Sequence, residues 1–86
     1  MPEISRFLGI IIAMFYNDHG PPHMHVVYGE YRAKVDIANG EIIEGKLPRR
    51  VLGLVREWRQ LHEDELARDW RLARARKPLQ WIEPLE

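Results

Sequence analysis

A two-residue turn, Gly29-Glu30, sits between the alternating stretches His23–Tyr28 and Tyr31–Ile37 and constrains this chain more than any other feature. Glycine at the first turn position supplies the positive φ of a type II′ hairpin. With the turn placed, register follows by counting. Tyr28 faces Tyr31, Val27 faces Arg32, Val26 faces Ala33, His25 faces Lys34, Met24 faces Val35 and His23 faces Asp36. Cross-strand partners share a face of the sheet. Met24, Val26, Tyr28, Tyr31, Ala33, Val35 and Ile37 therefore form the expected core side, and His23, His25, Arg32, Lys34 and Asp36 the other. On this reading neither histidine belongs to the core.

The rest of the first half extends the sheet. Asn39-Gly40 predicts a second two-residue turn, of type I′, leading into a strand near 41–45. Residues 7–16 are apolar on both alternating sets, and Gly9 with three consecutive isoleucines argues against a helix. They read as one strand, whose outward residues Phe7, Ile11, Ala13 and Phe15 call for cover by a homodimer or a protein partner.

The second half reads as helix. Leu47-Pro48 opens it, with Pro48 at the first helical position. Val51, Leu54, Val55, Trp58, Leu61, Leu66, Trp70 and Ala73 keep helical spacing until Pro78 stops the run. A straight helix of roughly 28 residues would span ~42 Å, while a domain this small has a radius of gyration near ~12 Å. A break around Leu61 to Asp64 is expected. The predicted fold is a single α+β domain, 1–86: a small, mainly antiparallel sheet with strands near 7–16, 24–28, 31–37 and 41–45. A helical segment over 48–77 lies on one face, and the C-terminal tail is extended.

Composition removes several functions. The 86 residues include no cysteine, so disulfides, thiolate metal sites and a cysteine nucleophile are excluded. Ser5 is the sole serine, and no Walker loop, G-x-G-x-x-G or H-E-x-x-H occurs. The longest apolar run, Leu8 to Phe15, falls short of a span of ~20 residues and lacks a basic leader; a cytoplasmic protein without membrane contact is expected. Net charge is +0, unevenly spread: residues 1–45 carry three Lys/Arg against six acids, and residues 46–77 carry ten against five. The interspersed acids favour a solvated helix over a nucleic-acid face.

The chemistry concentrates in Asp18-His19-Gly20-Pro21-Pro22-His23-Met24-His25, which holds three of the four histidines. His23 and His25, at i and i+2, point to one face, and His19 or Asp18 offers a third ligand for a divalent metal such as zinc. The same groups suit acid–base cleavage of RNA, with His19, His23 and His25 as candidate catalytic residues and Lys34 or Arg32 opposite steadying phosphate charge. The alternative is a solvated histidine pair with no chemistry. His62, between Trp58 and Leu66, reads as a partly buried packing residue.

With those residues in view, the chain resembles a family of small bacterial proteins known only as a domain of unknown function. The resemblance rests on the Met1-Pro2-Glu3-Ile4-Ser5 opening, Gly9-Ile10, the Asp18-His19 to His25-Val26 block, and Tyr28-Gly29-Glu30-Tyr31. It continues through Gly40-Glu41-Ile42, Gly45-Lys46-Leu47-Pro48, Glu57-Trp58, Leu61-His62, and Pro78-Leu79 to Pro84-Leu85. Arg76 stands where glycine is common in such proteins, which bears on where the helix ends. The resemblance implies genes paired with another short uncharacterised domain, in an arrangement similar to toxin–antitoxin pairs. The expected function is one component of such a module, binding a protein partner, with RNA as a candidate target. The alternative is a small metal-binding protein or metallohydrolase using the histidine cluster.

Overall fold

The computed structural model describes residues 2–86; Met1, which begins the opening motif, lies outside them. Five strands precede two helices: β1 (Glu3–Phe7), β2 (Ile10–Ala13), β3 (His23–Tyr28), β4 (Tyr31–Asp36), β5 (Ile42–Gly45), α1 (Arg49–Leu61) and α2 (Glu63–Arg74). The strands form one sheet in chain order, every neighbouring pair antiparallel. The fold is α+β.

The β3–β4 hairpin has the expected register in all six pairs, from Tyr28 opposite Tyr31 to His23 opposite Asp36. Gly29 carries the positive φ, +57°, that the turn needs. The inward row Ile12, Val26 and Ala33 meets Val51, Val55 and Trp58 of α1 and Leu66 of α2 in one buried cluster. Tyr31 departs from expectation. It sits at the hairpin tip and stays 41% exposed, beyond what the helices cover.

The stretch 7–16 is not one strand. Leu8 (φ 51°) and Gly9 (φ 80°) are both left-handed, and the chain reverses there, pairing Phe7 with Ile10. Phe7 consequently turns inward against Trp58, ring centroids 5.6 Å apart, and Ala13 is buried as well. The supposed second apolar face shrinks to half-buried Ile11 and partly exposed Phe15. The Asn39-Gly40 turn is also wider than expected. Residues 37–40 form a loop in which Gly40 N–H donates to the Asp36 carbonyl, and Asp36 Oδ1 accepts from the Ala38 and Asn39 amides. A side chain that caps its own loop competes with the tighter turn. From α1, Arg59 Nη1 donates to Ile37 O at 2.8 Å and Arg56 Nε to Gly40 O at 2.8 Å, so the buried Arg59 and the exposed Arg56 together clamp the loop.

The helical segment breaks at His62, φ −130°, inside the expected window. Pro48 precedes α1 as its cap residue, and Glu63, Asp64 and Glu65 occupy the first turn of α2, where the helix dipole favours acids. His62 packs on Trp58 at 5.3 Å between ring centroids. The tail, 77–86, is in neither helix nor strand, yet Ile82 is fully buried and its N–H donates to Ile4 O at 2.8 Å. Trp58 Nε1 donates to Glu83 O, and the buried Asp69 accepts the Gln80 amide.

Two residues past the end of α2, Arg76 lies in the left-handed region, φ 57°, with Lys77 N–H donating to Leu72 O and Arg76 N–H to Ala73 O. This is a Schellman cap, which prefers glycine at the left-handed position. Arg76→Gly is expected to raise stability by about 0.5–1 kcal/mol by relieving the side chain's penalty there. Urea unfolding checks it; a lowered midpoint would show that the arginine side chain contributes more than its backbone costs.

Candidate metal centre

The loop between β2 and β3 is anchored at both ends by backbone. Asn17, left-handed at φ 55°, donates its N–H to Ala73 O at the end of α2. Asparagine tolerates that conformation, and the bond satisfies one of the carbonyls a helix end leaves unpaired. At the far end, Pro22 O accepts the Ile37 amide from beyond β4. Between these anchors the chain folds Asp18 back over the start of β3.

Asp18 then meets both histidines. Its Oδ2 lies 3.0 Å from His23 Nε2 and 3.0 Å from His25 Nε2, while its Oδ1 accepts the His19 backbone N–H at 2.9 Å. One atom from each of Asp18, His23 and His25 falls within a 4.8 Å group. His19 is not in that group: it is exposed and contributes its backbone amide alone. Asp36, expected beside His23, spends its carboxylate on the 37–40 loop. Lys34 lies across from His25 and pairs loosely with Glu44 at 3.8 Å.

His23 is buried, 3% exposed, which corrects its expected place on a solvated face. The ring of Trp70, from α2, covers it at 5.2 Å between centroids. Its Nδ1–H donates to Pro21 O at 2.8 Å. That bond commits Nδ1 to the proton and aims Nε2 at the Asp18 carboxylate. Phe15 packs edge-on against His25 at 4.2 Å. Nothing in the sequence placed Phe15, Trp70 or the Pro21 carbonyl at the site; the Asn17-Asp18 pair is the turn signal that could have led to the loop's shape.

The electrostatics keep the carboxylate of the cluster ionised. Partial burial works against the Asp18 carboxylate. Hydrogen bonds from His25 and the His19 backbone, with the charge and bond of His23, outweigh it and hold Asp18 at about 2. Burial lowers His25 below the ordinary histidine value, against the bond to Asp18 that raises it, with the charges of His23 and Lys34 adding to the depression. An ionised carboxylate beside a neutral imidazole is the protonation state metal binding requires. Around a tetrahedral ion with bonds of ~2.0–2.1 Å, ligand atoms stand roughly 3.3 Å apart; Asp18 lies 3.0 Å from each histidine nitrogen, and all three atoms lie within 4.8 Å of one another.

A small α+β protein with two imidazoles and a carboxylate converging at the start of its central strand is the class that fold and cluster define. The model for the family described as domain of unknown function DUF4160 matches residues 9–71, and the chain belongs to that family. The matched segment contains Asp18, His23 and His25 together with all of β2 to α1. Neither the curated proteins nor the solved structures contain a match to the chain. Among the described residues no helix is long and apolar enough to cross a membrane.

Proposed function

We propose that this protein binds a divalent transition metal, zinc first among them, through Asp18 Oδ2, His23 Nε2 and His25 Nε2. The observation that carries the reading is the Nδ1–H bond of His23 to the Pro21 carbonyl. With Nδ1 holding its proton, the Nε2 of a neutral ring would present a lone pair to a carboxylate oxygen at 3.0 Å. Two acceptors face each other unless a second proton or a cation lies between them. Metal-binding histidines commonly donate their other N–H to a backbone carbonyl in this way, which fixes the ring for the ion. Three protein ligands leave a coordination position for water or substrate, the arrangement of catalytic rather than closed structural zinc sites. Acid–base work by His23 alone is less well supported, since both its nitrogens are engaged and its ring is buried.

The test is elemental analysis of the purified protein, followed by chelation and reloading. One divalent ion per chain is expected, and chelation should lower the melting temperature. At zinc a hundredfold above its dissociation constant, binding stabilises the fold by about 2.7 kcal/mol, worth more than about 5 °C in a domain of this size. A protein that takes up no zinc, nickel or manganese, and melts identically with each, refutes the reading.

A second reading places this protein as one component of a toxin–antitoxin-like gene pair, held by a protein partner. The outer edge of β5 supports it. That strand ends the sheet, is largely exposed, and carries Ile43 at 46% exposure. An open edge of this kind can be extended by a partner's strand. Co-expression with the product of the adjacent gene should yield a stoichiometric complex. Growth arrest on expression alone, relieved by the neighbour, would mark this chain as the toxic half.

A further inference from the structure

Beside His25, on the sheet face turned away from the helices, lies a cleft of about 240 Å³ lined by Phe15, His25, Val27, Arg32, Lys34 and Glu44. Register explains it. Val27 and Arg32 face each other, as do His25 and Lys34, and Lys34 and Glu44, so two outward rows of the sheet form its floor and rim. Phe15, partly exposed after β2, stands at its wall. The two cations are available. Arg32 is exposed and takes part in none of the ion pairs among the described residues, and Lys34 meets Glu44 only at 3.8 Å.

We propose that this cleft binds a small phosphate monoester carrying a planar ring, with Arg32 and Lys34 on the phosphate and Phe15 against the ring. Guanidinium and ammonium groups side by side are the usual answer to a compact dianion. A ring stacked on Phe15 would bury apolar surface that is now open to water. The cleft is smaller than drug-sized pockets of ~300–1,000 Å³, which suits a ligand of one phosphate and one ring system. A polynucleotide is disfavoured, because two cations bordered by Glu44 offer no track of charge for a phosphate backbone. The ligand adds to the metal reading without depending on it, since Arg32, Lys34 and Phe15 are not metal ligands.

Calorimetric titration of the full chain with adenosine monophosphate, inorganic phosphate and adenosine, each with EDTA and with zinc, tests the inference. The monophosphate should bind at least tenfold more tightly than either fragment. The double variant Arg32→Gln/Lys34→Gln should lose at least tenfold toward it while keeping the wild-type circular dichroism spectrum. Phe15→Ala should weaken the monophosphate and leave inorganic phosphate unaffected. Binding in EDTA with this dependence upholds the cleft even if zinc fails to bind, an outcome that would refute the metal reading alone. Zinc binding without monophosphate binding, or monophosphate binding that needs zinc and ignores the double variant, overturns it.

Discussion

Gly45→Ala is expected to destabilise the protein by at least about 3 kcal/mol, the scale of the severe single-site effects. Gly45 ends β5 at φ 84°, opposite Ala33, just after a break in the β4–β5 register. A Cβ there would lie 2.1 Å from Arg32 O and 3.0 Å from Ala33 Cα. Both are backbone atoms of the neighbouring strand, so no side chain can swing aside. Relief requires β5 to move off β4, and Lys46 N–H would lose the same Arg32 carbonyl it now donates to. Gly53→Ala supplies the contrast. It lies within α1 with nothing within 4 Å of the added carbon, so it should stabilise by about 0.5–1 kcal/mol. Urea unfolding of the two variants reads the difference directly. Equal midpoints would show that β5 contributes little to the fold.

Gly45 also shows where sequence reasoning stops. It stood in a recognised motif, but its need for glycine comes from a carbonyl on β4, which no local pattern reveals. Gly29 was legible because the hairpin it turns is local and the alternation on each side has a single consistent register. Leu8-Gly9 was not. An apolar residue in the first turn position, with apolar residues on both sides, hides a reversal inside what reads as one long strand. The break at His62 could be placed from size alone, since an unbroken helix would overrun the domain. The site divides the same way. Alternation put His23 and His25 on one face, and the structure agrees. Whether Asp18 or His19 joins them depends on Asn17 docking at Ala73, far along the chain. The burial of His23 depends on Trp70, which helical spacing marked only as a core residue.

Asp18→Asn is expected to lower zinc affinity at least 100-fold, with His19→Ala leaving it unchanged. Partners that merely orient a ligand are worth 10–100-fold in affinity when lost, so removing the anionic ligand itself should cost no less. Asparagine keeps the shape and the Oδ1 acceptor for the His19 amide, but removes the charge that balances the ion. His19 is the informative control, because sequence order makes it the natural third histidine and geometry leaves its ring outside the cluster. The pH profile follows from the same groups. Asp18, held at about 2 against an ordinary 3.8, stays ionised through any practical range, so protons compete for the metal through the histidines. Affinity should be level above about pH 7 and fall on acidification as imidazoles charge. His25, depressed below 6.5, should surrender its lone pair only at lower pH than an unburied histidine. The fold carries the same sign in the apo protein. Both groups have lowered values, so the unfolded chain binds more protons and stability declines with acid, first below about 6.5 through His25 and again between 3.8 and about 2 through Asp18. Zinc titrations at several pH values on the wild type and both variants decide. An affinity that His19→Ala abolishes and Asp18→Asn spares would assign the ion to a different set of ligands.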